Sequence, residues 1–356
     1  MTIQHRALWP ALALILLLPL ASCRQKKVVE EPAQEAAGEP GRAVYFWKTR
    51  FDLNESEQEF LKTYSIGKMY VRMFDVDYDA SPAAGAEKVI PVGTTSFVSE
   101  KPDGIEIIPT VFITTRALDL SKQEEGGLPA LAGKIVLRVN NMMDYNELGT
   151  FRELQLDCDW TESTQDDFFT LCRQVKALLK ADKRALSVTV RLHQLRQSAP
   201  PADKGILMLY NTGALRSAGK QNSILDVSDV KAYLSRTPVI YGIPLDFAYP
   251  SFGWGVWFRG SKYKGLLHQT DFFNPEYYSP DGNEFTVLKD HVLENHELLK
   301  GDRIRLESSA PASINEVKDL VRRAFYKYPH DNILYHLDSN NLSKYTKDEI
   351  QGFFAD

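Results

Sequence analysis

The chain has 356 residues, 44% hydrophobic and 25% charged, which suits a folded protein with one large or two modest domains. Its net charge of −5, with no long basic run, offers no general attraction for nucleic acid. No nucleic-acid partner is therefore expected, and no cofactor is expected either.

Residues 1–23 read as a targeting segment. His5 and Arg6 give a short polar start, and Ala7 to Leu20 is mostly apolar but too short for a usual transmembrane span. Leu20-Ala21-Ser22-Cys23 then resembles the lipobox of bacterial lipoproteins. That resemblance implies lipidation at Cys23 and a lipid-anchored protein of the bacterial cell envelope. Arg24, rather than Asp, fits sorting to the outer membrane, on a face the sequence does not specify. Residues 24–41, rich in Glu, Lys, Ala and Pro, have almost nothing to bury and read as a flexible tether. After processing, Cys158 and Cys172 remain. A disulfide between them is open, and two buried free thiols are the favoured alternative.

From residue 42 onward, strand-like and helix-like stretches alternate. Ala43–Lys48 is a first apolar strand, and Asn54 or Ser56 caps the helix after it. Lys68–Phe74 is a second strand, running into Asp75 and Asp77, with a short strand near Lys88–Val92 in the connection. Glu106–Thr114 is a third, despite Pro109. A helical stretch, Leu128–Tyr145, precedes the fourth strand, Glu153–Asp159, whose helix runs to Lys180. Ala185–His193, Gly205–Asn211, Pro238–Asp246 and Asn332–Asp338 complete a set of eight. Between the last two lies an insertion of about 247–308, dense in aromatics, with added strands at Trp254–Phe258 and Arg303–Leu306. Helices are expected at Val227–Leu234, Ile314–Tyr326 and Lys344–Phe354.

Eight strands separated mostly by helices predict an α/β (β/α)8 TIM-like barrel over residues 42–356, with an aromatic-rich insertion after the seventh strand. A doubly wound open sheet is the alternative. The chain shows no glycine-rich dinucleotide fingerprint, P-loop or Gly-x-Ser-x-Gly elbow.

In such a barrel the carboxyl ends of the strands share one face, where active sites sit. Alternation along the fourth strand puts Gln155, Asp157 and Asp159 on the inner face, opposite Leu154, Leu156 and Cys158. Asp157 and Asp159 are the candidate catalytic carboxylates, since glycoside hydrolysis commonly needs two, and like charges raise one another's pKa. Arg191 and His193 are expected to orient them. Asp75, Asp77, Trp160, Asn211, Asp246, His336 and Asp338 are further candidate substrate contacts, and Trp254 and Trp257 are expected to give sugar-stacking platforms. Asp157, Asp159, Asp75 and a histidine would also suit a hard divalent ion, but no compact histidine–carboxylate motif supports a metal.

Leu154-Gln155-Leu156-Asp157-Cys158-Asp159-Trp160-Thr161, the Leu186–His193 strand and Gly253-Trp254-Gly255-Val256-Trp257-Phe258 resemble a group of uncharacterised bacterial lipoproteins with glycosidase-like barrels. The fourth strand is also distantly similar to family 18 chitinase-like barrels, whose fourth strand ends Asp-x-Asp-x-Glu. Asp157 and Asp159 match the aspartates, whereas Thr161 stands at the glutamate position and Glu162 is one residue off. With the strand-end carboxylates, these resemblances point to an envelope lipoprotein with a glycosidase-like barrel that binds a glycan, hydrolysis through those carboxylates being a further step left open. The alternative is a non-catalytic glycan-binding or envelope-assembly lipoprotein that lacks the acid.

Overall fold

In the first barrel strand, Arg42–Phe46, Ala43 lies beside Lys68 of the second strand and Arg42 beside Asn332 of the eighth. Those two parallel pairings close a ring of eight strands: Arg42–Phe46, Lys68–Tyr78, Glu106–Ile113, Glu153–Asp157, Ala185–Arg191, Lys204–Met208, Leu245–Pro250 and Asn332–Tyr335. This is the expected (β/α)8 barrel. The computed structural model describes residues 41–219, 221–235, 241–325 and 330–355. The signal segment, Cys23 and most of the tether lie outside the described residues.

Local chemistry explains most element boundaries. The helix Glu55–Thr63 begins at Asn54, whose side chain accepts from the Glu57 amide while Glu57 reaches back to the Asn54 amide, a reciprocal capping box. Gln165–Lys180 carries Phe168, Leu171, Cys172, Val175 and Leu179 on its buried face, the i, i+3, i+4, i+7 spacing of an amphipathic helix. Cys158 and Cys172 are both buried free thiols. Pro109 sits inside the third strand opposite Val71, just before a register shift at Met73 on the neighbouring strand.

The second strand outruns the barrel and pairs antiparallel with Val89–Val92, Asp77 facing Ile90. The seventh strand departs most from expectation. Residues 238–240 of the expected strand lie outside the described residues, and the observed strand starts at Leu245, opposite Gly205. Asp246 is therefore near its amino end.

The insertion forms its own antiparallel sheet, in the order Lys262–Leu267, Gly253–Arg259, Arg303–Ser308, Glu284–Val287, Tyr278–Asp281. Its core includes Trp257, Phe272, Phe285 and Ile304. Gly255 is required there, because a Cβ would lie 2.8 Å from Ile304 and 2.9 Å from Phe272.

Candidate ligand-binding site

The inner face of the barrel changes character from its middle to its carboxyl end. At mid-height, Gln155 accepts hydrogen bonds from the hydroxyls of Tyr45 at 2.9 Å and Thr110 at 3.2 Å. One inward position further along the fourth strand, Asp157 accepts from Thr189 Oγ1 at 2.6 Å and Arg191 Nη2 at 3.0 Å. Asp157 is only 3% exposed. Burial by itself disfavours the Arg191 charge, but the carboxylates of Asp157 and Asp159 outweigh it and hold the guanidinium pKa above its usual value. The pair is thus a fixed ionic floor.

Above that floor opens a cavity of about 410 Å³. A second ion pair lines it: Arg72 grips Asp75 through Nε at 2.8 Å and Nη2 at 2.5 Å. That two-point geometry is characteristic of guanidinium with carboxylate. Asp159 and His193 stand at the mouth. The Asp159 side chain is 63% exposed, 3.9 Å from both Arg191 Nε and His193 Nε2. The strand ends at Asp157 and His193 sits in the turn Leu192–Arg196, so the two residues are rim groups rather than part of the strand alternation.

The walls are aromatic. Trp47, Phe112, Tyr210, Tyr233 and Tyr335 line the cavity. Tyr210 stacks on Tyr335 with centroids 4.7 Å apart, and Trp47 meets Tyr335 at 5.9 Å. Burial pushes the phenols of Tyr210 and Tyr335 up, keeping them neutral. The Tyr210 hydroxyl is buried and has no partner within the protein. Asn211, in a left-handed conformation with φ 54°, and Thr212 complete the rim at the exit of the sixth strand.

The cavity therefore brings together Asp75, Asp157, Asp159, Arg191, His193 and Asn211 of the expected residues. The others lie elsewhere. Trp160 is fully buried against Phe168 and Phe169, because the chain turns outward after Asp157. Asp77 accepts from Thr114 Oγ1 at 3.0 Å on the strand extension outside the cavity. Asp246, near the amino end of its strand, receives Lys204 at 2.8 Å. Trp257 is core to the insertion and donates to Asp302 at 2.8 Å, while Trp254 donates to Glu307 at 2.8 Å. His336 is half-buried and does not line the cavity. Asp338 caps the helix Ser339–Leu342 and pairs with Lys48 at 3.0 Å.

Residues missed in the sequence, Trp47, Arg72, Phe112, Tyr210 and Tyr335, share one signal. Trp47 is two residues beyond inward-facing Tyr45, and the strand parity that selected Asp157 selects it too.

No family model matches the chain, and no curated protein matches its sequence. Solved structures resemble its fold. The spore cortex-lytic enzyme SleL of Bacillus cereus aligns with a TM-score of 0.52 at 13% identity, over 89% of this chain and 75% of that one. The Group IV chitinase of Ostrinia furnacalis aligns at 0.51 and 10% identity, over 89% and 98%. The same chitinase in complex with allosamidin gives 0.52 at 9% identity, over 89% and 98%. At these identities the likeness establishes the (β/α)8 barrel fold alone.

Proposed function

We propose that this barrel binds a neutral glycan and does not cleave it. The cavity has what a pyranose needs: aromatic faces for the apolar faces of the ring, and fixed donors and acceptors for its hydroxyls. The chitinase and cortex-lytic enzyme that share the fold put an N-acetylhexosamine polymer first among candidates.

The observation that carries the non-catalytic reading is the state of the carboxylates. Glycoside hydrolysis needs a carboxylic acid held protonated beside the leaving oxygen. Asp75 has both carboxylate oxygens engaged by Arg72, and buried Asp157 is held by Thr189 and Arg191, so neither is placed as a free acid beside a leaving oxygen. Asp159 stands largely in solvent, without the desolvated setting of a general acid. Thr161, at the acid position of the chitinase-like pattern, directs its hydroxyl to Ser163 at 2.9 Å, and it does not line the cavity.

Titration with a β-1,4-linked N-acetylglucosamine tetramer, followed by tryptophan fluorescence and chromatography of the sugar, tests this. The expected result is saturable quenching with the tetramer recovered intact. Trp47→Ala should weaken binding about tenfold, or roughly 1.4 kcal/mol. Release of shorter fragments, abolished by Asp159→Asn, would establish hydrolysis instead. Absence of binding to this sugar and to solubilised peptidoglycan sinks the glycan reading.

We further propose that Cys23 carries a lipid and holds the barrel at the bacterial outer membrane, as the residues around it suggest. Cys23→Ala should move the protein from the membrane fraction to the soluble fraction or leave it unprocessed. Equal fractionation of the two forms overturns the anchor.

A further inference from the structure

The insertion contributes no residue of its sheet to the cavity, yet two of its buried charged groups, Arg305 and Glu307, are directed at the loop that forms the cavity rim. Arg305 and Glu307, two apart on the strand Arg303–Ser308, are 2% and 1% exposed and meet at 2.7 Å. The other donors of Arg305 leave the insertion altogether. Nη1 donates to the carbonyls of Ser217, at 2.6 Å, and Gly219, and Nη2 donates to that of Leu215 at 3.2 Å. Glu307 Oε2 accepts from Ser223 Oγ at 2.5 Å, and Asn222 Nδ2 donates to the Ser308 carbonyl at 2.7 Å.

All five of these loop residues belong to residues 212–226, the connection between the sixth strand and the helix Val227–Leu234. Each end of that connection carries cavity lining: Asn211 and Thr212 before it, Tyr233 on the helix after it. The Asp226 amide donates to Thr212 Oγ1 at 2.8 Å, tying the two ends together. A loop without regular structure is ordinarily a low-stability region that opens locally. Here a buried guanidinium spans three of its carbonyls. A buried ion pair is weak evidence for stability, since an apolar pair of similar volume is often as stable. What this pair supplies is a geometry: the donors of Arg305 fix where the loop backbone runs.

We propose that Arg305 is a positioning residue for ligand binding. With Glu307 as its counter-ion, it sets the course of the 212–226 loop, and so the placement of Asn211 and Thr212 at the rim. The insertion then acts as a brace on the binding site rather than as a platform for sugar. This proposal rests on the cavity being the glycan site, but its structural half is independent of any ligand.

The test pairs hydrogen exchange with binding in Arg305→Met/Glu307→Gln, which removes both charges and keeps an acceptor for Ser223 and Trp254. Amides of residues 212–226 should exchange at least tenfold faster than in wild type, with the helix Gln165–Lys180 unchanged. Affinity for the N-acetylglucosamine tetramer should fall about tenfold while the barrel's melting transition is retained. Arg305→Lys, which keeps the charge and reaches fewer carbonyls, should fall between the two. Should the double variant fail to fold, Asn222→Ala removes one brace contact without burying a charge and should give the same changes at about threefold. Unchanged loop exchange overturns the brace, and a loosened loop with wild-type affinity overturns its role in binding. If wild type binds no sugar, the glycan reading falls and the exchange measurement alone decides the brace.

Discussion

At the amino end of the barrel, Lys204 reaches Glu153 at 3.1 Å, Asp246 at 2.8 Å and the Tyr70 hydroxyl at 3.2 Å. Beside it Lys68 meets Asp331 at 2.5 Å, and the Asp331 amide donates to Asp246 at 2.8 Å. At the carboxyl end, Arg191 reaches Asp157 and Arg72 reaches Asp75, with the cavity above them. Both ends carry carboxylates neutralised by cations inside one ring of strands. Lys204 and Lys68 at the amino end act as point charges, whereas the cations lining the cavity, Arg72 and Arg191, have planar forks that set direction as well as charge. The amino end closes the barrel, and the carboxyl end opens into the cavity. Charged residues at a strand end are thus not a functional signal until the end is known.

The comparison breaks most visibly if the two cations are removed in turn. Lys204→Met leaves Glu153 and Asp246 close together without their shared counter-ion, and should cost about 3 kcal/mol of stability with sugar affinity unchanged. Arg191→Met leaves buried Asp157 with its Thr189 bond alone and removes the looser contact with exposed Asp159; about 2 kcal/mol is expected, together with loss of measurable binding. Urea denaturation of both variants, alongside the fluorescence titration, separates these outcomes. Equal loss of binding in both would mean that the amino end serves the site as well.

Much of this arrangement was legible in the sequence, and the gaps have identifiable causes. Alternation alone placed Gln155 and Asp157 on the inner face, because a period of two survives any error in where a strand starts. Asp246 was assigned to the wrong end because its strand begins at Leu245, and the apolar run Pro238–Ile243 read as strand as readily as Leu245–Pro250 does. Trp160, Trp254 and Trp257 drew attention as large aromatics, but Trp160 packs into the core against Phe168 and Phe169, and the indole N–H groups of Trp254 and Trp257 find Glu307 and Asp302 within the insertion. The contact between Arg305 and the 212–226 loop spans about 90 residues of sequence, and no local pattern announces it.

A smaller effect sharpens the comparison through pH. Asp331 at the amino end is held below the usual carboxylate range: burial opposes its charge, but Lys68 and Lys204 outweigh burial. A depressed carboxylate contributes stability above its unfolded pKa and loses that contribution as pH falls through the folded value, so this end weakens only in acid, below about pH 4. His336, beyond the cavity at the carboxyl end, behaves differently. Burial lowers its pKa from the ordinary 6.5, against the pull of Asp338 and Glu57 and with that of Lys48. Its Nδ1 is buried and has no partner within the protein. The folded protein therefore holds this imidazole neutral, whereas the unfolded chain protonates it near pH 6.5. Its contribution is complete above that pH and is lost as pH falls toward the folded value, with a slope of at most about 1.4 kcal/mol per pH unit for one proton. Urea midpoints measured from pH 7.5 to 5 should decline in wild type and decline less in His336→Gln. Parallel curves for the two proteins would remove His336 from the account and leave acid weakening to the carboxylates alone.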